Sequence, residues 1–176
     1  MSVLRTFIRF ADTVNEKVGL ATAWLTTLMV GVVCLDVILR ELFKKSYVGL
    51  SELAWHLFAL VFLLGAGYTL KHGRHVRVDI FYSRFSERKR RLVDLIGTVL
   101  FLLPFSVLVI VVSWGFVMHS FQMGETSPDP GGLPWRWLLK AAIPAGFVLL
   151  LIQGLAEAFR ALIGLRGETL SSEEAA

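Results

Sequence analysis

The sequence has one cysteine, five prolines and little charge for its length. A single thiol excludes a disulfide-built secreted scaffold, and Cys34 lies inside an apolar run where it has no partner. Charged residues are 18% of the chain, against about 25% in an ordinary soluble domain. There is no nucleophile–base pair, no Cys/His metal cluster and no phosphate-binding loop. Neither catalysis by this chain alone nor a metal or cofactor site is expected. What the chain has in excess is apolar side chain: 55% hydrophobic, with a mean hydropathy of +0.65. At 176 residues there is too little polar surface to cover such a core, so the expected solvent is lipid. Disordered proteins and large multidomain enzymes are excluded.

Four apolar stretches satisfy the roughly 20 residues that about 30 Å of hydrocarbon requires. They run from Val18 to Leu39, Leu53 to Leu70, Leu92 to Met118 and Trp137 to Phe159. The expected fold is a single all-α integral membrane domain of four transmembrane helices. Pro104 is expected to kink the third. The first stretch starts too late and is too long for a cleaved signal peptide, so it is expected to remain as an anchor. Residues 2–17 carry Val3, Leu4, Phe7, Ile8, Ala11 and Val14 at helical spacing, as an amphipathic interfacial helix would. Residues 76–91 are read the same way, and the tail 168–176 as polar and disordered.

The net charge of +4 and pI near 9.5 would suit nucleic-acid binding in a soluble protein. Here the basic residues gather at the ends of apolar runs, and no nucleic-acid module accompanies them. They act instead as topology signals. The N-terminal segment, the 71–91 loop and the C-terminal tail hold thirteen Lys and Arg, and the other side holds five. The positive-inside rule places both termini and the 71–91 loop in the cytoplasm. The outer loop at 119–136 contains Pro128, Pro130, Pro134, Gly124, Gly131 and Gly132 and is expected to be stiff and turn-rich.

Ionisable groups beside spanning segments are the candidate functional residues, because burying them is costly. Asp36 and Arg40 are spaced i, i+4 and can pair. Glu52 opens the second run, with Ser51 as its candidate N-cap. Asp94 lies at the inner start of the third run and Glu157 at the inner end of the fourth. None lies at mid-depth, as a proton or ion path would need. His56 and His119 share an outer depth, so a single b-type haem between them is the alternative reading. A self-contained exporter or channel is a third.

In order along the chain stand Asp36-Val-Ile-Leu-Arg40, Ser51-Glu-Leu-Ala54 and Gly65-Ala-Gly-Tyr-Thr-Leu70. Then follow Gly73-Arg-His-Val-Arg-Val-Asp79, Gly124-Glu-Thr-Ser127, Leu133-Pro-Trp-Arg-Trp137 and Ile143-Pro144. Over about residues 10–160 this resembles the small four-helix membrane subunit of tripartite ATP-independent periplasmic (TRAP) transporters. The resemblance implies a non-catalytic scaffold in a sodium-coupled importer of organic acids, in the inner membrane of a bacterium or archaeon. Its implied partners are a large elevator-type membrane subunit, a periplasmic binding protein and phospholipid. Asp36, Arg40, Glu52 and Asp94 are then candidates for the subunit interface. His75, Arg77, Asp79, Arg88, Arg90 and Arg91 are candidates for the cytoplasmic lipid interface, and Glu125 and Asp129 for docking the binding protein.

Overall fold

The computed structural model describes residues 2–73 and 85–165. Four helical rods long and apolar enough to cross a membrane make up almost all of it. Helix α1 spans Ser2–Phe43 and α2 spans Val48–Lys71. The third rod is α3 (Glu87–Gly97), a π-helical turn (Thr98–Leu102) and α4 (Leu103–Gln122). Helix α5 spans Arg136–Leu165. Among the described residues there is no strand.

The order across the array is α1, α2, α5, α4, and α5 touches every other element. Small residues make this hub possible. Ala142, Gly146, Gly154, Ala156, Ala158 and Ala161 are buried on α5. A Cβ on Gly146 would stand 2.4 Å from the Leu63 carbonyl oxygen, so the α2 and α5 backbones almost touch there. The buried positions of α4 are Ser106, Ser113, Val117 and Ser120, again small, while Phe101, Phe105, Val111, Val112 and Trp114 face outward. An outward face this apolar is what lipid or another membrane protein tolerates.

Residues 2–17 are helical, and no break separates them from the first span. At about 1.5 Å per residue α1 is about 63 Å long, twice the hydrocarbon thickness. Its inward stripe is Ile8, Ala11, Asn15, Gly19, Thr22, Val32 and Asp36, a 3.6-residue period held through both segments. Ile8 and Ala11 pack with Ala156 and Ile163, and Phe7 meets Phe159 edge-on at 5.8 Å. Ile8 and Ala11 are thus buried against α5, while Val3, Leu4 and Phe10 stay exposed.

The start of α2 differs from the sequence reading, and the first connection and the surroundings of Pro104 gain detail. Helix α2 begins a turn early, with Tyr47 as N-cap, so Ser51 lies within the helix. The first connection shrinks to residues 44–47, turned by Lys44 at φ 53°. Pro104 is accommodated by the π turn: proline offers no N–H and crowds the carbonyl one turn back, and widening the helix relieves both. The Leu103 N–H reaches Thr98, five residues earlier, and the Ser106 hydroxyl donates to the Leu102 carbonyl at 2.7 Å. Residues 87–91 belong to α3, which runs on into the third span. The remainder of the 76–91 reading from 76 to 84, and the tail, lie outside the described residues.

Candidate functional site: two polar joints in an apolar array

The N-terminal third of α1 is tied to α5 and α2 by a polar joint. Asn15 and Gln153 are wholly buried. The Asn15 amide donates to the Gln153 Oε1 at 3.0 Å and to the Ala11 carbonyl at 3.0 Å. The Gln153 Nε2 donates to Asp12 at 3.0 Å and to Glu157 at 3.2 Å. Arg160 closes the ring, with Nη1 on Glu157 at 2.5 Å and Nη2 on Asp12. A Cβ on Gly67 would lie 2.0 Å from the Asn15 Oδ1, so the amide sits directly on the α2 backbone. Beside it Glu16 accepts from Lys71 at 2.8 Å and from the His72 ring at 3.1 Å.

The sequence reading missed Asn15 and Gln153. Asn15 falls outside the apolar stripe of residues 2–17 and carries no signal of its own there. Gln153 was the detectable signal, an amide set inside an apolar run that needs a partner on another helix.

The second joint fixes the loop 123–135. Glu52 is buried, 5% exposed, at the start of α2. Its carboxylate accepts the Ser127 hydroxyl at 2.5 Å and the Leu133 N–H at 2.6 Å, with the Arg136 Nη2 at 3.4 Å. Arg136 also lies 5.6 Å from the centre of the Trp55 ring. The loop makes backbone bonds of its own, Ser127 N–H to Leu133 O and Gly132 N–H to Asp129 O, and the Glu52 carboxylate takes the Leu133 N–H. Gly124 and Gly131 take positive φ where the chain reverses. Trp135 takes φ 60°, uncommon for a bulky residue, and the turn is held by Arg136 N–H to Glu125 O and Leu138 N–H to Trp135 O. Glu125 pairs with Lys140, and this contact, ahead of smaller ones, holds its carboxyl below the ordinary glutamate range. Asp129 is exposed, its N–H on the Ser127 hydroxyl at 3.2 Å.

Asp36 and Arg40 form an ion pair within α1, Asp36 buried and Arg40 turned out. Asp94 is half-buried on α3; Arg88 and Arg91 are exposed there, Arg90 partly so, and Arg91 also lies against Gly164 of α5. His75, Arg77 and Asp79 lie outside the described residues. The haem alternative needs His56 and His119 to face each other, and α5 lies between α2 and the helix that carries His119. Among the described residues no group of three or more His, Cys, Asp or Glu is arranged to hold a metal ion.

Residues 29–164 match the family model of the DctQ component of tripartite ATP-independent periplasmic transporters. The chain is 35% identical over 109 residues to the C4-dicarboxylate TRAP transporter small permease protein DctQ of Rhodobacter capsulatus, covering 62% of this chain and 47% of that protein. It is 26% identical over 161 residues to the protein of the same name in Vibrio cholerae serotype O1, covering 80% of this chain and 68% of that one. The first of these matches thus spans about half of the relative's length. With the family pattern running from the middle of α1 to the last turn of α5, this multi-pass membrane protein belongs to the DctQ component family of tripartite ATP-independent periplasmic transporters.

Proposed function

We propose that the chain is the small, non-catalytic scaffold subunit of a sodium-coupled TRAP transporter for C4-dicarboxylates or related organic acids. It sits in the inner membrane with both termini cytoplasmic. It braces a large elevator-type subunit that carries solute and sodium, and its outer loop helps dock the periplasmic binding protein. The substrate class follows the names of the relatives, and the orientation follows the excess of Lys and Arg at the end that carries α3.

One observation carries the reading. No acidic, basic or histidine side chain falls between residues 18 and 35, 57 and 70, 95 and 118, or 141 and 156. The charged groups of the described spans lie towards the two ends of the array, many of them bound to one another. A solute or sodium path needs polar groups at mid-depth. A brace needs rigid rods and an apolar outer face.

The test is uptake of a labelled C4-dicarboxylate into proteoliposomes under a sodium gradient. Large subunit, binding protein and this chain together are expected to transport, and this chain alone is not. Undiminished uptake after omitting the chain, or uptake by the chain alone, would overturn the proposal.

A further inference from the structure

The loop over residues 123–135 is longer than a connection requires. A link between packed helices commonly takes about two to eight residues, and α1 and α2 are joined at the same end by residues 44–47 alone. The ends of the loop are drawn together by the Arg136 N–H on the Glu125 carbonyl, which makes it a compact Ω-type loop, a form that often carries function. Holding it takes a buried carboxylate, Glu52, and a bulky residue at positive φ, Trp135.

What this arrangement fixes most closely is Asp129. Its N–H donates to the Ser127 hydroxyl oxygen at 3.2 Å, and that hydroxyl donates to Glu52 at 2.5 Å. Its carbonyl accepts the Gly132 N–H at 3.0 Å. Gly132 is closed in, since a Cβ there would stand 2.4 Å from Ser127 and 2.8 Å from the Glu52 Oε2. Pro128 and Pro130 stiffen the chain on either side. The Asp129 backbone is thus pinned in both directions while the residue stays exposed.

The charges at this end of the array sort the same way. Arg40 pairs with Asp36, Lys44 with Glu41, Arg136 with Glu52 and Lys140 with Glu125. Glu125 is therefore occupied, and among the described residues the Asp129 carboxylate has no ion pair. The loop lies past the last residue of α4 and before the first of α5, so on the proposed topology it faces water. A free carboxylate presented there on a fixed backbone suits a cation on a soluble protein, because little ordering is left to be done on binding.

We propose that Asp129 is the residue through which this chain engages the soluble binding protein, at a lysine or arginine on that protein's surface, and that Glu52 and Ser127 are positioning residues for it. This rests on the docking role and the orientation proposed above.

The experiment holds the complex of this chain and its large subunit in immobilised nanodiscs. Biolayer interferometry then measures the affinity of the binding protein of the same transporter. Asp129→Asn should weaken it about tenfold, the loss of one charge-assisted contact. Glu41→Gln, which removes an exposed acid at the same end, should leave it unchanged. Ser127→Ala should weaken it about threefold in the wild type and not at all in Asp129→Asn, because Ser127 acts through Asp129. With Cys34 replaced by serine, a maleimide–diazirine crosslinker on Asp129→Cys should capture the binding protein. Equal affinity of Asp129→Asn and wild type overturns the inference. So does equal weakening by Glu41→Gln, or a Ser127→Ala loss that adds in full to that of Asp129→Asn. Capture of the large subunit instead also overturns it and makes the loop a subunit contact. A wild-type complex that binds without depending on Asp129 leaves the transporter reading standing, whereas one that does not bind at all removes the docking role as well.

Discussion

Gln153 shows how much one residue can hold here. It is wholly buried and bonds to Asn15, Asp12 and Glu157 at once. Gln153→Ala leaves three polar groups short of a partner away from water. A loss of about 1–3 kcal/mol is expected, read as a lower Tm in detergent. Glu125 gives a pH signature. Its folded-state pKa is depressed, chiefly by Lys140, so its contribution is complete above the unfolded value, about 4.3, and fades as pH falls through the lower folded value. Protease resistance of the 123–135 loop should stay level above about pH 5 and drop in more acid solution, and Glu125→Gln should flatten that profile. Glu52 was visible in the sequence as an ionisable group at a helix start. Its partners were not, because Ser127 and Leu133 are 75 and 81 residues away and only the folded loop brings them near.

Among the helices, glycines report where rods touch. Gly146→Ala would drive a Cβ against the Leu63 backbone carbonyl, which cannot swing aside, and about 1–3 kcal/mol of destabilisation is expected. Gly115→Ala meets open space, and the gain in helix propensity should stabilise by about 0.5–1 kcal/mol. Comparing the two thermal midpoints checks the packing of α2 on α5 directly. A positive shift for Gly146→Ala would contradict it. The four rods themselves were legible because hydropathy over 20 residues is a strong signal. Their extents were less so. Residues 2–17 read as amphipathic from their spacing alone, and only the fold shows that Phe7, Ile8 and Ala11 pack on α5, beyond residue 150, while Val3 and Phe10 stay exposed. The π turn is likewise a response to Pro104 within a packed helix, and sequence alone predicts only a disturbance there.

For the whole molecule, orientation is open to direct measurement. With Cys34 replaced by serine, single cysteines at Lys45 and Asp129 should react with a membrane-impermeant maleimide added outside intact cells. A cysteine at Lys89 should react only after the membrane is opened. The reverse pattern would invert the proposed topology. The amino-acid sequence by itself determined that the chain lives in lipid, crosses it four times and keeps charge out of the middle, because these follow from the cost of burying polar groups in hydrocarbon. The motif order also determined the family. Tertiary structure alone decided which helix is the hub, that Asp12, Gln153, Glu157 and Arg160 form one ring with Asn15 bonded to Gln153, and that Glu52 holds the 123–135 loop. Those outcomes rest on contacts between residues far apart in the chain, where small side chains let backbones approach and a buried polar group must find whichever partner the packing brings within reach.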